Sequence, residues 1–310
     1  MSTPPLVSVI VPCFNCAATV DATLESISRQ SEPRLEIICV DDSSTDATAE
    51  RLADWAVREP RLVVIRQANG GCAAARNRGL AAARGNFIAL IDADDLWAPD
   101  YLARHLARFD ADPGLGVSFT RIHFINHDGS PTGETTRPKL SGITPQDILE
   151  HNPAGCAMMV ARREVFAEVG PFNHRLRRAE DQEWLFRVTL TRWRIEGIDA
   201  PLADYRNSPA GLSANLDAQL EAYRDLLDHV EQLAPEIVRS GRRRAVASMQ
   251  LFCARRALRL GLGPAEIRRH LAAALKGAPE LLMRQPRSVA GLALAALSPA
   301  GASGLLRALR

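Results

Sequence analysis

F-I-A-L-I-D-A-D-D, Phe87 to Asp95, sets five consecutive apolar residues against three carboxylates within the next four. An unbroken apolar run of this length suits a strand buried on both faces. Working outward, largely apolar runs recur upstream at Leu6 to Val11, broken by Ser8, at Leu35 to Val40, broken by Glu36, and at Leu62 to Ile65. Between these runs lie helical stretches: Val20, Leu24 and Ile27 at helical spacing, then Asp46 to Val57, then the Ala-rich Ala73 to Ala83. Repeated strand–helix units predict an α/β fold with a mainly parallel sheet flanked by helices and right-handed crossovers.

In open α/β sheets ligands bind beyond the C-terminal ends of the strands. Here those ends read Pro12-Cys13-Phe14-Asn15, Asp41-Asp42-Ser43-Ser44-Thr45-Asp46, Gln67 to Gly71, and Asp92-Ala93-Asp94-Asp95. Each of the first three has an ordinary explanation as a turn or helix cap. The last is harder to explain that way, because crowded carboxylates repel unless a cation or water relieves them. A hard divalent ion, Mg²⁺ or Mn²⁺, takes oxygen ligands and leaves room for substrate phosphates. Cys13 and Cys16 stand in C-x-x-C spacing, the sequence sign of a thiol–disulfide site, but no thioredoxin-like unit follows them.

Beyond Asp112 strand-like stretches follow at Val117–Ile125, Cys156–Val160 and Trp193–Ile198, with Asn126–Ser141 reading as a surface excursion. From about Leu216 the pattern is helical, with breaks near Pro235, Gly261–Pro264 and Pro279. From residue 239 to the end there are 14 Lys/Arg and 2 Asp/Glu, while residues 1–238 hold 24 and 34. Such a basic tail is either a solvated helical face or a surface for an anionic neighbour. The uncharged stretch Ser288–Leu306 contains Pro299 and is mostly small residues, a poor membrane span but compatible with peripheral contact with anionic lipid. The tail has a single aromatic, Phe252, so nucleic acid is not an expected partner. Six scattered cysteines and the absence of a leader pattern point to the cytoplasm, with peripheral placement at the inner face of a membrane left open.

The ordered set V-S-V-I-V-P-C-F-N, I-C-V-D-D-S-S-T-D, N-G-G-C-A-A-A-R-N-R-G and G-N-F-I-A-L-I-D-A-D-D resembles glycosyltransferase family 2, of the GT-A fold. The stretch C-A-M-M-V-A-R-R-E-V-F-A-E-V-G-P-F-N and then Glu180-Asp181 extend the resemblance to about residues 6–215. It implies a catalytic domain over 1–215, with a nucleotide-sugar half (1–112) and an acceptor half (113–215), followed by a basic helical extension over 216–310.

The resemblance further implies an inverting transferase taking a nucleotide-diphosphate donor, a UDP-sugar by expectation, to a glycan or lipid-linked acceptor. Pro12, Phe14 and Asn15 would line base and ribose, and Asp42 would accept from the base. Asp92 and Asp94 would form the D-x-D pair, with Asp94 and Asp95 holding Mn²⁺ or Mg²⁺. Asp181 would be the general base. Arg76 is either a nucleotide contact or a solvated helix arginine. Ser208 stands where the family often has a histidine. The competing classes are a sugar nucleotidyltransferase, whose Gly-rich first loop is missing here, and a polyanion- or membrane-binding adaptor that uses the tail.

Overall fold

The protein is described by a computed structural model over residues 6–154, 158–176, 178–208 and 214–297. It divides into two compact units, Met1–Pro145 with Asn152–Arg206, and Gln146–His151 with Asn207–Arg310.

The first unit opens with β1 (Val7–Cys13), α1 (Val20–Ser28), β2 (Leu35–Asp41), α2 (Thr48–Arg58), β3 (Leu62–Arg66), α3 (Cys72–Ala82) and β4 (Phe87–Leu90). All of β2 and all but Pro12 of β1 are buried, as their largely apolar runs require, and the polar exceptions pair with each other, Ser8 Oγ donating to Glu36 Oε1 at 2.6 Å. Val20, Leu24 and Ile27 form one fully buried stripe of α1. The four strands pair in parallel in the order β3-β2-β1-β4. Their register sets Cys13 beside Asp41 and Asp41 beside Arg66, with Ile10 beside Leu90. The strands therefore end near one level, and the loops carrying Phe14, Asp42, Gln67 and Asp92 emerge along one rim.

The chain continues through β5 (Leu96–Trp97), α4 (Tyr101–Ala111), β6 (Leu115–Ile125), β7 (Pro131–Thr135), α5 (Pro145–His151), β8 (Met159–Arg162), α6 (Arg163–Val169), α7 (Glu180–Thr189) and β9 (Arg194–Arg206). These strands extend the sheet as β4-β8-β6-β9-β5, with β7 on β6. Here the pairing is mixed: only β6 and β9 run parallel, and antiparallel contacts join the rest. One core of Val9, Val11, Leu24, Ile37, Trp97, Tyr101, Phe109 and Ile198 runs beneath the sheet.

Two expectations change. The excursion Asn126–Ser141 contains strand β7, because Asp128-Gly129 turns the chain back on β6. Gly129 has φ +87° there, and Asn126 N–H donates to the Ser130 carbonyl at 2.8 Å. The strand expected over Trp193–Ile198 runs on to Arg206. Its register against β6 jumps from Thr120–Ile198 to Arg121–Pro201, a bulge that carries pairing past Pro201. Of Cys156–Val160, residues 156 and 157 lie outside the described residues.

The second unit holds α8 (Leu216–Leu233), α9 (Pro235–Arg259), α10 (Pro264–Gly277), α11 (Leu281–Arg284) and α12 (Pro286–Leu297). Asn215 caps α8 by accepting from Ala218 N–H at 3.0 Å, and prolines open α9 and α10, where a missing N–H costs nothing. The unit has its own core, which includes Leu220, Leu251, Ala254, Ile267, Leu271 and Leu292. Leu251 packs inward, whereas Leu262 falls in the Gly261–Gly263 turn and is exposed.

The basic surplus changes meaning within this unit. Its bounds enclose 15 Lys/Arg and 10 Asp/Glu, a far smaller excess than the tail alone shows. Arg239 and Arg242 each meet Glu231 at 3.0 Å, Arg243 meets Glu280 at 2.8 Å, Arg244 meets Glu150 at 2.8 Å, and Arg269 meets Asp217 at 2.9 Å. Among the described residues no helix is long and apolar enough to cross a membrane.

Candidate active site

After β1 and β2 the chain turns sharply, with Asn15 at φ +48° and Ser43 at φ +64°. Asn15 tolerates this left-handed conformation better than most side chains. Its Oδ1 accepts from Thr45 N–H at 2.8 Å, and its own N–H donates to Ser44 Oγ at 3.0 Å. Asn15 therefore ties the two loops together. Beside it Phe14 is 52% exposed, an apolar ring held in the open, while Pro12 is half-buried. Asp42 is buried and already engaged. Its carboxylate accepts from Gln67 Nε2, Gly70 N–H and Gly71 N–H, each at 2.8 Å. It thereby fixes the Gly-Gly turn, where Gly71 has φ +83°.

The D-A-D-D stretch forms a turn in which Asp95 N–H donates to the Asp92 carbonyl at 3.1 Å. That turn separates the three carboxylates. Asp95 points inward, only 1% exposed, and accepts from Arg206 N–H at 2.9 Å. It thus sits beneath the rim, next to the Asp94 with which it was expected to share a metal. Asp94 stays half-buried, and burial together with the neighbouring Asp92 pushes its carboxyl up to about 6. Arg206, itself buried, donates through Nε to the Asp94 carbonyl at 2.8 Å and through a terminal nitrogen to the His127 carbonyl at 2.9 Å. Sequence reasoning passed over Arg206; only its place after the β9 bulge brings it here.

Arg76, at the middle of α3, is 3% exposed and joins two motifs. One terminal nitrogen meets Asp92 Oδ1 at 2.5 Å and the other meets Glu180 Oε1. A solvated helix arginine is therefore ruled out. Next to it, Asn77 clasps Phe172, donating to its carbonyl at 2.8 Å and accepting from its N–H at 2.9 Å. Helix α7 is anchored by Trp184, Leu185 and Val188, which are fully buried, and Trp184 stacks on Phe166 at 4.3 Å. Asp181 lies in its first turn, half-buried; Oδ1 accepts from Gln182 N–H at 2.7 Å, and Oδ2 lies 3.5 Å from Asn152 Nδ2. The Cys72 thiol is pushed well up, chiefly by burial, while Arg76 opposes and Asp92, Glu180 and Asp181 add to the rise. One sulfur thus feels all four charged groups.

A divalent cation fits this set in a limited way. Among the described residues no group of three His, Cys, Asp or Glu side chains is arranged around one point. Asp94 is nevertheless a half-buried carboxylate with raised proton affinity, and Asp95 Oδ2 is buried without a hydrogen-bond partner. One or two protein carboxylates suit Mg²⁺ or Mn²⁺ ions that keep most ligands from water and phosphate. A groove of about 810 Å³ lies apart from the rim, between α1 and α2. There Asp21 already takes Arg51 at 2.5 Å and Trp55 Nε1 at 2.9 Å, so its polar groups satisfy one another.

The C-x-x-C pair is not poised for redox work. The neighbouring Cys13 sulfur, and then burial, push the Cys16 thiol far above its ordinary range, opposite to a reactive thiolate. Both cysteines are free and neither side chain is exposed. Ser208 is half-buried.

The profile of the family described as "Glycosyl transferase family 2" matches residues 8–170. A putative teichuronic acid biosynthesis glycosyltransferase, TuaG of Bacillus subtilis, is 33% identical over 212 residues, 68% of this chain and 82% of the relative. Staphylococcus aureus TarS 1–349 in complex with UDP-GlcNAc superposes with a TM-score of 0.60 at 19% identity, covering 98% of this chain and 90% of that one. The mannosyltransferase PcManGT of Pyrobaculum calidifontis in complex with GDP-Man and Mn²⁺ gives 0.61 at 20% identity, covering 99% and 86%. At these identities the likeness is one of fold, the GT-A arrangement of a mixed sheet with flanking helices.

Proposed function

This chain belongs to glycosyltransferase family 2, and from that premise we propose that it transfers a sugar from a nucleoside-diphosphate donor to a glycan or lipid-linked hydroxyl with inversion. One observation carries the reading. The D-x-D strand end and the E-D helix, far apart in sequence, meet through Arg76 at the C-terminal edge of a parallel sheet.

In this reading Phe14 offers its exposed ring to the base, with Pro12 and Asn15 beside it. Asp42, already satisfied by three donors, acts on the nucleotide chiefly by holding the Gly70–Gly71 turn in place. Asp94, with Asp92 next to it, would hold the ion, and Asp95 supports the turn from below. A bound Mn²⁺ or Mg²⁺ would offset the charge building on the departing diphosphate. Asp181 takes the proton of the acceptor hydroxyl as its oxygen bonds to the anomeric carbon. The bond from that carbon to the phosphate oxygen breaks, and the electron pair leaves with the diphosphate. Attack from the face opposite the leaving group inverts the configuration.

UDP is the first donor nucleotide to test, because TarS was solved with UDP-GlcNAc; GDP is the second, because PcManGT was solved with GDP-Man. A polysaccharide acceptor agrees with the teichuronic acid assignment of TuaG. A panel of UDP- and GDP-sugars, assayed with Mn²⁺ for donor hydrolysis and transfer, tests the proposal. Release of UDP or GDP from at least one donor is expected; silence across the panel, with no thermal shift, would refute it.

Membrane contact is a finer part of the proposal. With many tail arginines paired internally, it would rest on Arg287 and the exposed Leu282, Met283, Leu294 and Leu297. Co-sedimentation with anionic vesicles that fades with salt would support it, and equal recovery in the supernatant with neutral and anionic vesicles would not.

A further inference from the structure

We propose that Arg76 is a positioning residue: its two ion pairs set the place of the E-D helix, and so of Asp181, relative to the D-x-D strand end. The proposal rests on the reading of Asp181 as base, and adds a residue that touches neither donor nor acceptor.

The geometry argues for this directly. A guanidinium has a rigid fork whose two terminal nitrogens can serve two carboxylates at once. Arg76 uses both, one on Asp92 and one on Glu180, and is 3% exposed. Glu180 immediately precedes Asp181 in the first turn of α7, so the pair fixes the base at its neighbouring residue. The turn entering the helix needs such a hold, since Ala179 takes the left-handed region at φ +59°. Helix α3 grips the same segment a second time, where Asn77 clasps both backbone groups of Phe172. That grip positions the chain before α7, whereas Arg76 reaches Glu180, the residue next to the base. The fold keeps its own arginine between two acidic motifs that would otherwise repel, and spends its charge there.

This separates two roles that the sequence left together. A nucleotide contact at Arg76 would be lost as donor affinity, raising KM. A positioning role would be lost as turnover, lowering kcat while donor KM holds. Lysine lacks the fork and would have to draw both carboxylates onto one nitrogen, so it should not rescue fully.

The test uses the full-length chain with Arg76→Gln, Arg76→Lys, Glu180→Gln and the double variant Arg76→Gln/Glu180→Gln. The double variant removes both members of the buried pair, which guards against misfolding from one uncompensated charge. With the donor identified by the panel above, each single variant is expected to lose about 10- to 100-fold in kcat with KM changed less than about threefold, and the double to be no worse than either single. A rise in KM at constant kcat, full rescue by lysine, or multiplying losses in the double variant would overturn the proposal. Hydrogen exchange gives a readout independent of any reaction. Amides 180–184 should exchange at least about tenfold faster in the double variant than in the native chain, with those of β1 unchanged. Unchanged exchange across 180–184 refutes the tie even if transfer is observed. Faster exchange there in a chain inactive toward every donor would uphold the tie and refute the transferase reading instead.

Discussion

The rim of the sheet and the helical unit are both crowded with charge, yet they treat it in opposite ways. In the helical unit arginines and carboxylates meet in pairs and small clusters, mostly near the surface; Arg243 and Glu280 are 62% and 31% exposed at 2.8 Å. At the rim Arg76, Glu180 and Asp95 are buried, Asp92 and Asp94 half-buried, and the charges are unevenly matched. Arg76, 4% exposed by its side chain, serves two carboxylates, and Asp94 is left with raised proton affinity. Exposed pairs contribute little to stability, because water screens them and holding long side chains costs entropy. Buried, unequal charge is costly to the fold, and in the proposed function its persistence at one edge is read as the place where a charged ligand is met. Position, more than number, separates charge that solvates from charge that acts.

The largest expected effect falls at the rim. Asp181→Asn is nearly isosteric, so donor binding should persist by calorimetry while the transfer rate falls by about 10²- to 10⁴-fold. Native turnover with intact binding would place the base elsewhere and break the contrast at its functional end.

A smaller effect tests whether buried ionisable groups carry a stability cost where no ligand is involved. His105 is fully buried against Ser118, with Nδ1 to Oγ at 2.7 Å, and burial, then Arg104, lowers its pKa to about 3. The folded state thus keeps it neutral, while the unfolded chain takes a proton near its ordinary 6.5. Stability from this residue is full above pH 6.5 and declines as pH falls toward 3, by about 1.4 kcal/mol per pH unit. Urea unfolding at pH 7 and 5.5 should therefore show a greater loss in the native chain than in His105→Gln, by about 1 kcal/mol. Equal losses would mean that the imidazole is solvated.

The smallest effect belongs to the helical unit. Arg243→Gln should change stability by less than about 1 kcal/mol and leave transfer untouched, as measured by thermal melting and initial rates. A larger loss would show that its surface pairs act as a network, which would blur the contrast.

Much of this division was legible in the sequence, for physical reasons. Parallel strands buried on both faces leave nearly continuous apolar runs, so β1, β2 and β4 and the loops beyond them could be read from residues alone. The helix breaks at Pro235, Gly261–Pro264 and Pro279 were legible because proline and glycine act locally. What escaped was tertiary. Nothing in D-A-D-D marks Asp95 as the carboxylate that turns inward, because that depends on Arg206 arriving from β9. Arg76 remained ambiguous because its partner Glu180 lies 104 residues away. The basic tail looked stronger than it is because its acidic partners precede it in the chain, at Asp217, Asp228 and Glu231 in α8 and Glu150 in α5. Strand β7 was the exception, since its Asp-Gly turn was a local signal that could have been used.

The central claim is that the uncompensated carboxylate at the rim exists to receive a metal-bound diphosphate. Titration calorimetry of UDP, and of GDP, in Mn²⁺ and in excess EDTA tests it most directly, on the native chain and on Asp94→Ala. The account predicts binding of one nucleotide that needs the metal and weakens by about tenfold or more in the variant, with the variant's melting temperature held or raised by relief of burial. Equal affinity in EDTA, or an unchanged affinity in Asp94→Ala, would contradict it.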